Sequence, residues 1–171
     1  YDVERSRDKV AGGYQVDWRA EDRRGRIAPG HEPHLRLHAL TSCEEVALAS
    51  GDPPQNKGGN TRRLRYLVQS RRGENLRSEF VSVLEPYDRT LFIRSVRSLP
   101  VTKQQDGGSV VAVAGELIDG SCDVLISCEP AARVLVEGGI EFEGRLGLVR
   151  TIKGQVTSLR LVAGTLLRCG G

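Results

Sequence analysis

The stretch VVAVAGELIDGSCDVLISC, residues 110–128, decides the fold class. Val110 to Ile118 is an apolar run of strand length, Asp119-Gly120 is a two-residue hairpin turn, and Cys122–Cys128 resumes as a strand. Cys122, Val124, Ile126 and Cys128 fall on one face, because successive side chains of a strand point to opposite sides. The alternation continues through Val134 and Val136, Ile140 and Phe142, Leu146 and Leu148, then Leu159 and Leu161. Gly138-Gly139, Lys153-Gly154 and Ala163-Gly164 mark the turns between them. Strands recurring about every 8–12 residues are the rhythm of antiparallel sandwiches and barrels. No segment carries a sustained helical period. The expectation is an all-β, antiparallel β-sandwich with little or no helix.

Toward the N-terminus the pattern is less regular. Tyr14, Val16 and Trp18 alternate with polar neighbours and read as a strand, and Leu35, Leu37 and Ala39 as a second. Glu21 to His34 is charged, carries Pro29, Gly30 and Pro33, and reads as a long loop. Val46–Ala49 is a short apolar run stopped by Gly51-Asp52-Pro53-Pro54. In RRLRYLVQSRR, residues 62–72, Leu64, Leu67 and Val68 fit a helix and Leu64, Tyr66 and Val68 fit a strand. The strand-like flanks favour strand. Residues 76–85 and 91–98 read as two long strands, the first stopping at Pro86. The domain layout expected is strands and long loops over 1–102, a turn or linker at 103–108, and a C-terminal meander over 109–171 packed into the same sandwich.

Apolar residues make up 39% and charged residues 27%, the composition of a folded globular chain. The net charge of +3, from 25 basic and 22 acidic residues, is too small an excess to argue for nucleic acid, and no reading helix or aromatic stacking motif accompanies it. No stretch approaches the roughly 18 consecutive apolar residues of a membrane span. Opening on Tyr1 and containing no methionine, the chain reads as a piece of a longer protein. No signal peptide is visible.

Cys43, Cys122, Cys128 and Cys169 form no CxxC pair, so zinc-ribbon and thioredoxin signatures are lacking. Six residues of strand place Cys122 and Cys128 about 20 Å apart, beyond disulfide reach, and both read as small inward-facing hydrophobes. His31, His34 and His38 are the one metal-like cluster. A zinc site needs three or four ligands converging at about 2.0–2.3 Å. Pro33 keeps His31 and His34 off a common helix, so they read as loop polar residues beside one strand histidine, with no metal or cofactor expected. Arginines are dense between 62 and 77, and Arg63 and Arg65 project opposite Leu64, Tyr66 and Val68 on a strand. Guanidinium groups match carboxylate and sulfate in a bidentate way. Arg63, Arg65, Arg71 and Arg72 are therefore the candidate contacts to an acidic sugar chain, set against a solvated sheet face or a domain-docking surface. No Ser/His/Asp order marks a nucleophile, and no phosphate loop is present.

LRLHAL (35–40), ASGDPPQ (49–55), LRYLVQSRRG (64–73), FVSVLEPY (80–87), GIEFEGRLGLVR (139–150) and GTLLRCGG (164–171), in this order, resemble the C-terminal β-rich portion of heparinase II/III-like polysaccharide lyases. The resemblance covers most of residues 35–171. It implies a parent enzyme with an α/α-toroid helical domain followed by β-sandwich domains, cleaving uronic-acid polysaccharides by β-elimination. The family's catalytic Tyr, His, Asn and Arg lie mainly in the parts that precede this one. None matches a position here, so no catalytic residue is carried over and the chain is expected to be inactive alone.

The expected role is structural or substrate-supporting, with an acidic polysaccharide and the missing N-terminal helical domain as partners, in a periplasmic or secreted setting. The alternative is a stand-alone, non-catalytic carbohydrate-binding or adhesion sandwich. A nucleic-acid binder using the arginine run is the least favoured reading.

Overall fold

The computed structural model describes residues 2–22, 24–51, 64–103 and 108–170. Those residues form strands and turns with no helix among them: β1 (Val3–Arg5), β2 (Tyr14–Arg19), β3 (Pro33–Ala39), β4 (Glu45–Gly51), β5 (Leu64–Ser70), β6 (Ser82–Asp88), β7 (Ile93–Ser98), β8 (Val101–Lys103), β9 (Ser109–Leu117), β10 (Ser121–Val136), β11 (Ile140–Ile152), β12 (Gln155–Val162) and β13 (Leu166–Cys169). They pair into three sheets, ordered β1-β4-β5, β2-β3-β6 and β12-β11-β10-β9-β7, the last joined by β8 and β13. The fold is all-β, as the period-2 patterning requires.

The chain divides into two compact units. The first comprises residues 1–14 and 39–82 and holds the sheet β1-β4-β5. In it Gly12 lies so close to the Leu40 carbonyl that a Cβ would sit 2.1 Å from the oxygen, so no other residue fits there. The second comprises residues 15–38 and 83–171 and holds the other two sheets, apart from the strand-end residues Tyr14, Ala39 and Ser82. Within it β7 pairs with β9 and β8 with β10, so the strands on either side of 103–108 share one sheet. Gln104–Gly107, where a linker was expected, lie outside the described residues.

The core of the second unit comes from one hairpin that bends onto itself. β10 and β11 pair in regular register from Ser121↔Ile152 to Ser127↔Leu146, then shift and resume from Ala132↔Gly144 to Val136↔Ile140. At the shift, Cys128–Ala131 of β10 stand opposite only Arg145 of β11, a large bulge that turns the strand. Five residues along a straight strand span about 17 Å and end on the opposite face. Yet the Phe142 ring lies against Gly147, five residues on, so close that a Cβ there would fall 2.7 Å from a ring carbon.

One pair of strands thus supplies both walls of the core. Val124, Ile126 and Val149 come from the part of the hairpin beyond the bulge and Val134, Val136, Ile140 and Phe142 from the part next to the Gly138-Gly139 turn, all within one buried cluster with Ala112 and Ala114. Burying a Val, Ile or Phe contributes about 1.5–3 kcal/mol each. Cys128 is fully buried in the cluster and Cys122 is half-buried against it, as their spacing implied, and all four cysteines are free thiols.

Two sequence expectations are corrected. β6 begins at Ser82, not at 76, and runs through Pro86 to Asp88 instead of stopping at the proline. β6 is an edge strand of β2-β3-β6, where the missing proline N–H removes no ladder bond. The strand read as Cys122–Cys128 likewise does not end there: β10 runs 16 residues from Ser121 to Val136, because the bulge bends it without ending it.

Replacing Gly147 by Ala should lower stability by about 1–3 kcal/mol, since the fully buried Phe142 ring has no room to retreat. Gly115→Ala, where a Cβ meets nothing within 4 Å, should be close to neutral. Urea unfolding of both variants checks the pair.

Candidate functional site

Alternation along β2, β3 and β6 sends Gln15 and Asp17, then His34, Arg36 and His38, then Glu85 and Tyr87 to one face of the three-stranded sheet. On β3 this polar row is the more buried one: His38 is buried, whereas Leu35 is 38% exposed. The row's hydrogen bonds explain why.

Glu85 is fully buried. Its Oε1 accepts the backbone N–H groups of Phe92 and Ile93, both at 2.8 Å, and its Oε2 lies 2.8 Å from His38 Nε2. Burial raises the Glu85 pKa. The Ile93 N–H, His38 and the Phe92 N–H together outweigh it, leaving the carboxyl below its ordinary value and ionised at neutral pH. An ionised carboxylate only accepts, so His38 carries its proton on Nε2 and donates. Its Nδ1, 3.2 Å from the Gln15 side-chain amide, then accepts from Gln15.

Asp17 anchors the outer part of the face. Its Oδ2 accepts from the Tyr87 hydroxyl at 2.7 Å and from Arg36 Nε at 2.9 Å, and its Oδ1 accepts from His34 Nδ1 at 2.7 Å. Burial raises the Asp17 pKa, but the hydrogen bonds from Tyr87, His34 and Arg36 carry it down to about 2. The same bond to Asp17 raises the Tyr87 phenol, which is therefore a donor and not a base at neutral pH. The His34 ring stacks on Tyr87 with centroids 4.8 Å apart, and the Arg36 guanidinium lies 5.5 Å from the Tyr87 ring centre. With Nδ1–H held by Asp17, His34 turns Nε2 away from that bond, and the Arg36 guanidinium, bonded through Nε to Asp17, also interacts with the Tyr87 hydroxyl. The arrangement presents a guanidinium, an imidazole nitrogen and an aromatic ring on a rigid sheet.

Each histidine of the metal-like cluster has its own carboxylate: His31 pairs with Asp88, His34 with Asp17 and His38 with Glu85. Among the described residues no group of three or more His, Cys, Asp or Glu is placed to hold a metal ion.

The arginines expected to meet sugar lie elsewhere, on and after β5 of the first unit. Arg65 Nη1 donates to Ser50 at 2.7 Å and stands 3.9 Å from Asp2, and its Nη2 stands 3.9 Å from Glu4. Arg65 shares its face with the half-buried Leu67 and Gln69, while Leu64, Tyr66 and Val68 on the other face are exposed. Arg72 pairs with Glu45 at 3.5 Å with its side chain 80% exposed. Arg71 is exposed near Glu44. Arg63 lies outside the described residues.

Sequence reasoning did not single out Asp17, Arg36 or Glu85. The available signal was a pair of polar side chains at alternate positions of each stretch, Arg36 and His38 in LRLHAL and Glu85 and Tyr87 in FVSVLEPY, where a strand packed on an apolar core carries hydrophobes. Among known proteins, no family model matches the chain, and neither a curated protein nor a solved structure does.

Replacing Glu85 by Ala strands the Phe92 and Ile93 N–H groups and the buried His38, and should cost about 3–5 kcal/mol in urea unfolding. Glu85→Gln, which keeps an acceptor for Phe92 and Ile93, should cost less. Asp17→Asn tests the outer network through pH. The folded pKa of about 2 lies below the ordinary 3.8, so the ionised form stabilises above about pH 4, and that contribution is lost as pH falls through 2. Melting temperatures of native and variant chains should differ most above pH 4 and converge toward pH 2.

Proposed function

We propose that the chain is the β-rich, non-catalytic part of a heparinase II/III-like polysaccharide lyase, supporting a helical catalytic domain and lending contacts to an acidic polysaccharide. One observation carries the reading. LRLHAL and FVSVLEPY, two of the stretches that carry the resemblance, lie in neighbouring strands β3 and β6, and they are joined by the buried His38–Glu85 bond. Arg36 and Tyr87 of the same two stretches meet at Asp17 on that face. The matching residues therefore share one physical job, holding a polar sheet face in shape. The described residues of the remaining stretches contribute to β4, β5, β11 and β13, which build the sheets.

An acidic sugar suits what the chain displays. Arg36 sets a guanidinium beside the Tyr87 ring, and on the first unit Arg71 and Arg72 are open to solvent. Exposed guanidinium–anion contacts are worth about 0.2–1 kcal/mol each and weaken with salt, so a chain of this kind binds weakly alone. Proton abstraction at a uronate needs a base near neutral pH. Tyr87 and Asp17 are both shifted away from that range, in keeping with catalysis residing in another part of the protein.

The purified chain should generate no unsaturated-product absorbance from heparin, heparan sulfate, alginate or hyaluronan, and should retain heparin weakly at low salt. Arg71→Ala with Arg72→Ala should reduce that retention at unchanged melting temperature. Turnover would place an active site in this chain and overturn the proposal. Tight, salt-resistant binding would favour the stand-alone carbohydrate-binding sandwich.

A further inference from the structure

Among the described residues, three arginine–acid pairs stand directly opposite one another in the seven-stranded sheet: Arg150 and Asp123, Arg168 and Glu141, and Arg133 and Glu143. The first two close into ion pairs. Arg133 and Glu143 face each other in the same way, yet among the described residues neither side chain joins an ion pair. They border a cleft of about 330 Å³, to which β10 contributes Ala132 and Arg133, β11 Glu143 and Gly144, and the turn from β12 to β13 Gly164 and Thr165. Sites for small molecules start at about 300 Å³, so the cleft suits a single ring and not a longer chain.

The backbone frame of the cleft is fixed. A Cβ on Gly164 would fall 2.4 Å from the Glu143 carbonyl oxygen, and one on Gly144 would fall 2.8 Å from the Gly164 Cα, so both positions hold bare backbone. The Thr165 N–H donates to the Glu143 carbonyl at 2.9 Å and the Arg145 N–H to the Ala163 carbonyl at 3.1 Å, which ties the turn to β11. A frame set in advance lowers the ordering cost of binding.

We propose that this cleft is a subsite for one uronate residue with free ring hydroxyls, an inference that rests on the acidic-polysaccharide reading above. Arg133 takes the carboxylate, to which a guanidinium offers paired donors. Glu143 accepts from ring hydroxyls, and the Thr165 hydroxyl lies on the same cleft. A ligand that is only an anion gains from Arg133 and is repelled by Glu143 beside it. A ligand with a carboxylate at one end and hydroxyl donors at the other satisfies both. Specificity follows from the same pair: a sulfate in place of those hydroxyls would meet the Glu143 carboxylate, so unsulfated uronate is preferred.

Nuclear magnetic resonance titration of the isotope-labelled chain reads the cleft residue by residue. Millimolar glucuronate should shift the amides of Arg133, Glu143, Gly144, Gly164 and Thr165. Glucose, which lacks the carboxylate, should bind about tenfold more weakly or worse, and Arg133→Ala should weaken glucuronate by about the same factor in an otherwise native spectrum. A hyaluronan tetrasaccharide should shift these amides and a heparin tetrasaccharide should not, whereas Glu143→Gln should admit the heparin fragment. An equal response to glycine would make this a site for amino acids, and shifts that Arg133→Ala leaves unchanged would make it no site; either overturns the proposal. Heparin retained through Arg71 and Arg72 beside a silent cleft overturns the subsite and leaves the wider reading standing. A cleft that takes glucuronate in a chain retaining no polysaccharide supports the subsite and tells against that reading.

Discussion

The buried carboxylate of Glu85 is the constraint on which the second unit depends. It sits on β6, takes the N–H groups that open β7, and holds His38 of β3. β7 in turn pairs with β9 of the seven-stranded sheet. One side chain therefore joins an edge strand, a central strand and the entry to a different sheet. A buried charge is tolerated only when its lone pairs are filled by well-placed donors, and three donors at 2.8 Å meet that condition. Two of them are backbone groups of a connection that would otherwise leave them unpaired, so the carboxylate offsets its own desolvation by satisfying the loop. Among the described residues no buried side-chain nitrogen or oxygen lacks a partner.

The seven-stranded sheet solves a different problem. A sheet needs something to cover its apolar face, and this chain covers it with the far end of the same hairpin. The bulge opposite Arg145 makes the bend, and Gly144 and Gly147 make room on its inner side, where Gly164 and Phe142 respectively come within 2.8 Å and 2.7 Å of where a Cβ would be. The core follows from this geometry: small alanines on β9 face a large Phe on β11 across the bend. Local backbone shape and global packing are the same feature here.

Charge is used locally throughout. The histidines each take one acid, Arg65 and Arg72 are drawn to acids of their own unit, and Arg145, Arg150 and Arg168 pair with Glu129, Asp123 and Glu141 across neighbouring strands. Many of the arginines behind the net charge of +3 are thus matched to acids on neighbouring strands. Arg36 differs in that its partner Asp17 is shared with Tyr87 and His34.

Much of the architecture was legible in the residues. Period-2 patterning from Val110 to Leu161 implies antiparallel strands, because burial on one face is a local consequence of backbone pleat. Asp119-Gly120 and Lys153-Gly154 mark their turns because positive φ is a property of the dipeptide itself; Gly120 and Gly154 adopt it, and so does Lys153. The inward placement of Cys122 and Cys128 follows from the same alternation. Three things were decided only in three dimensions. Pro86 lies within a strand because β6 is an edge, and edge position is not written in FVSVLEPY. Cys128 to Ala131 bulge because Phe142 must reach Gly147, a contact between residues that a flat strand would separate. Arg36, Asp17 and Glu85 form a site because three strands distant in sequence bring their polar rows to one face. Alternation assigns each strand two faces, but which one is buried depends on the partners that arrive to satisfy it.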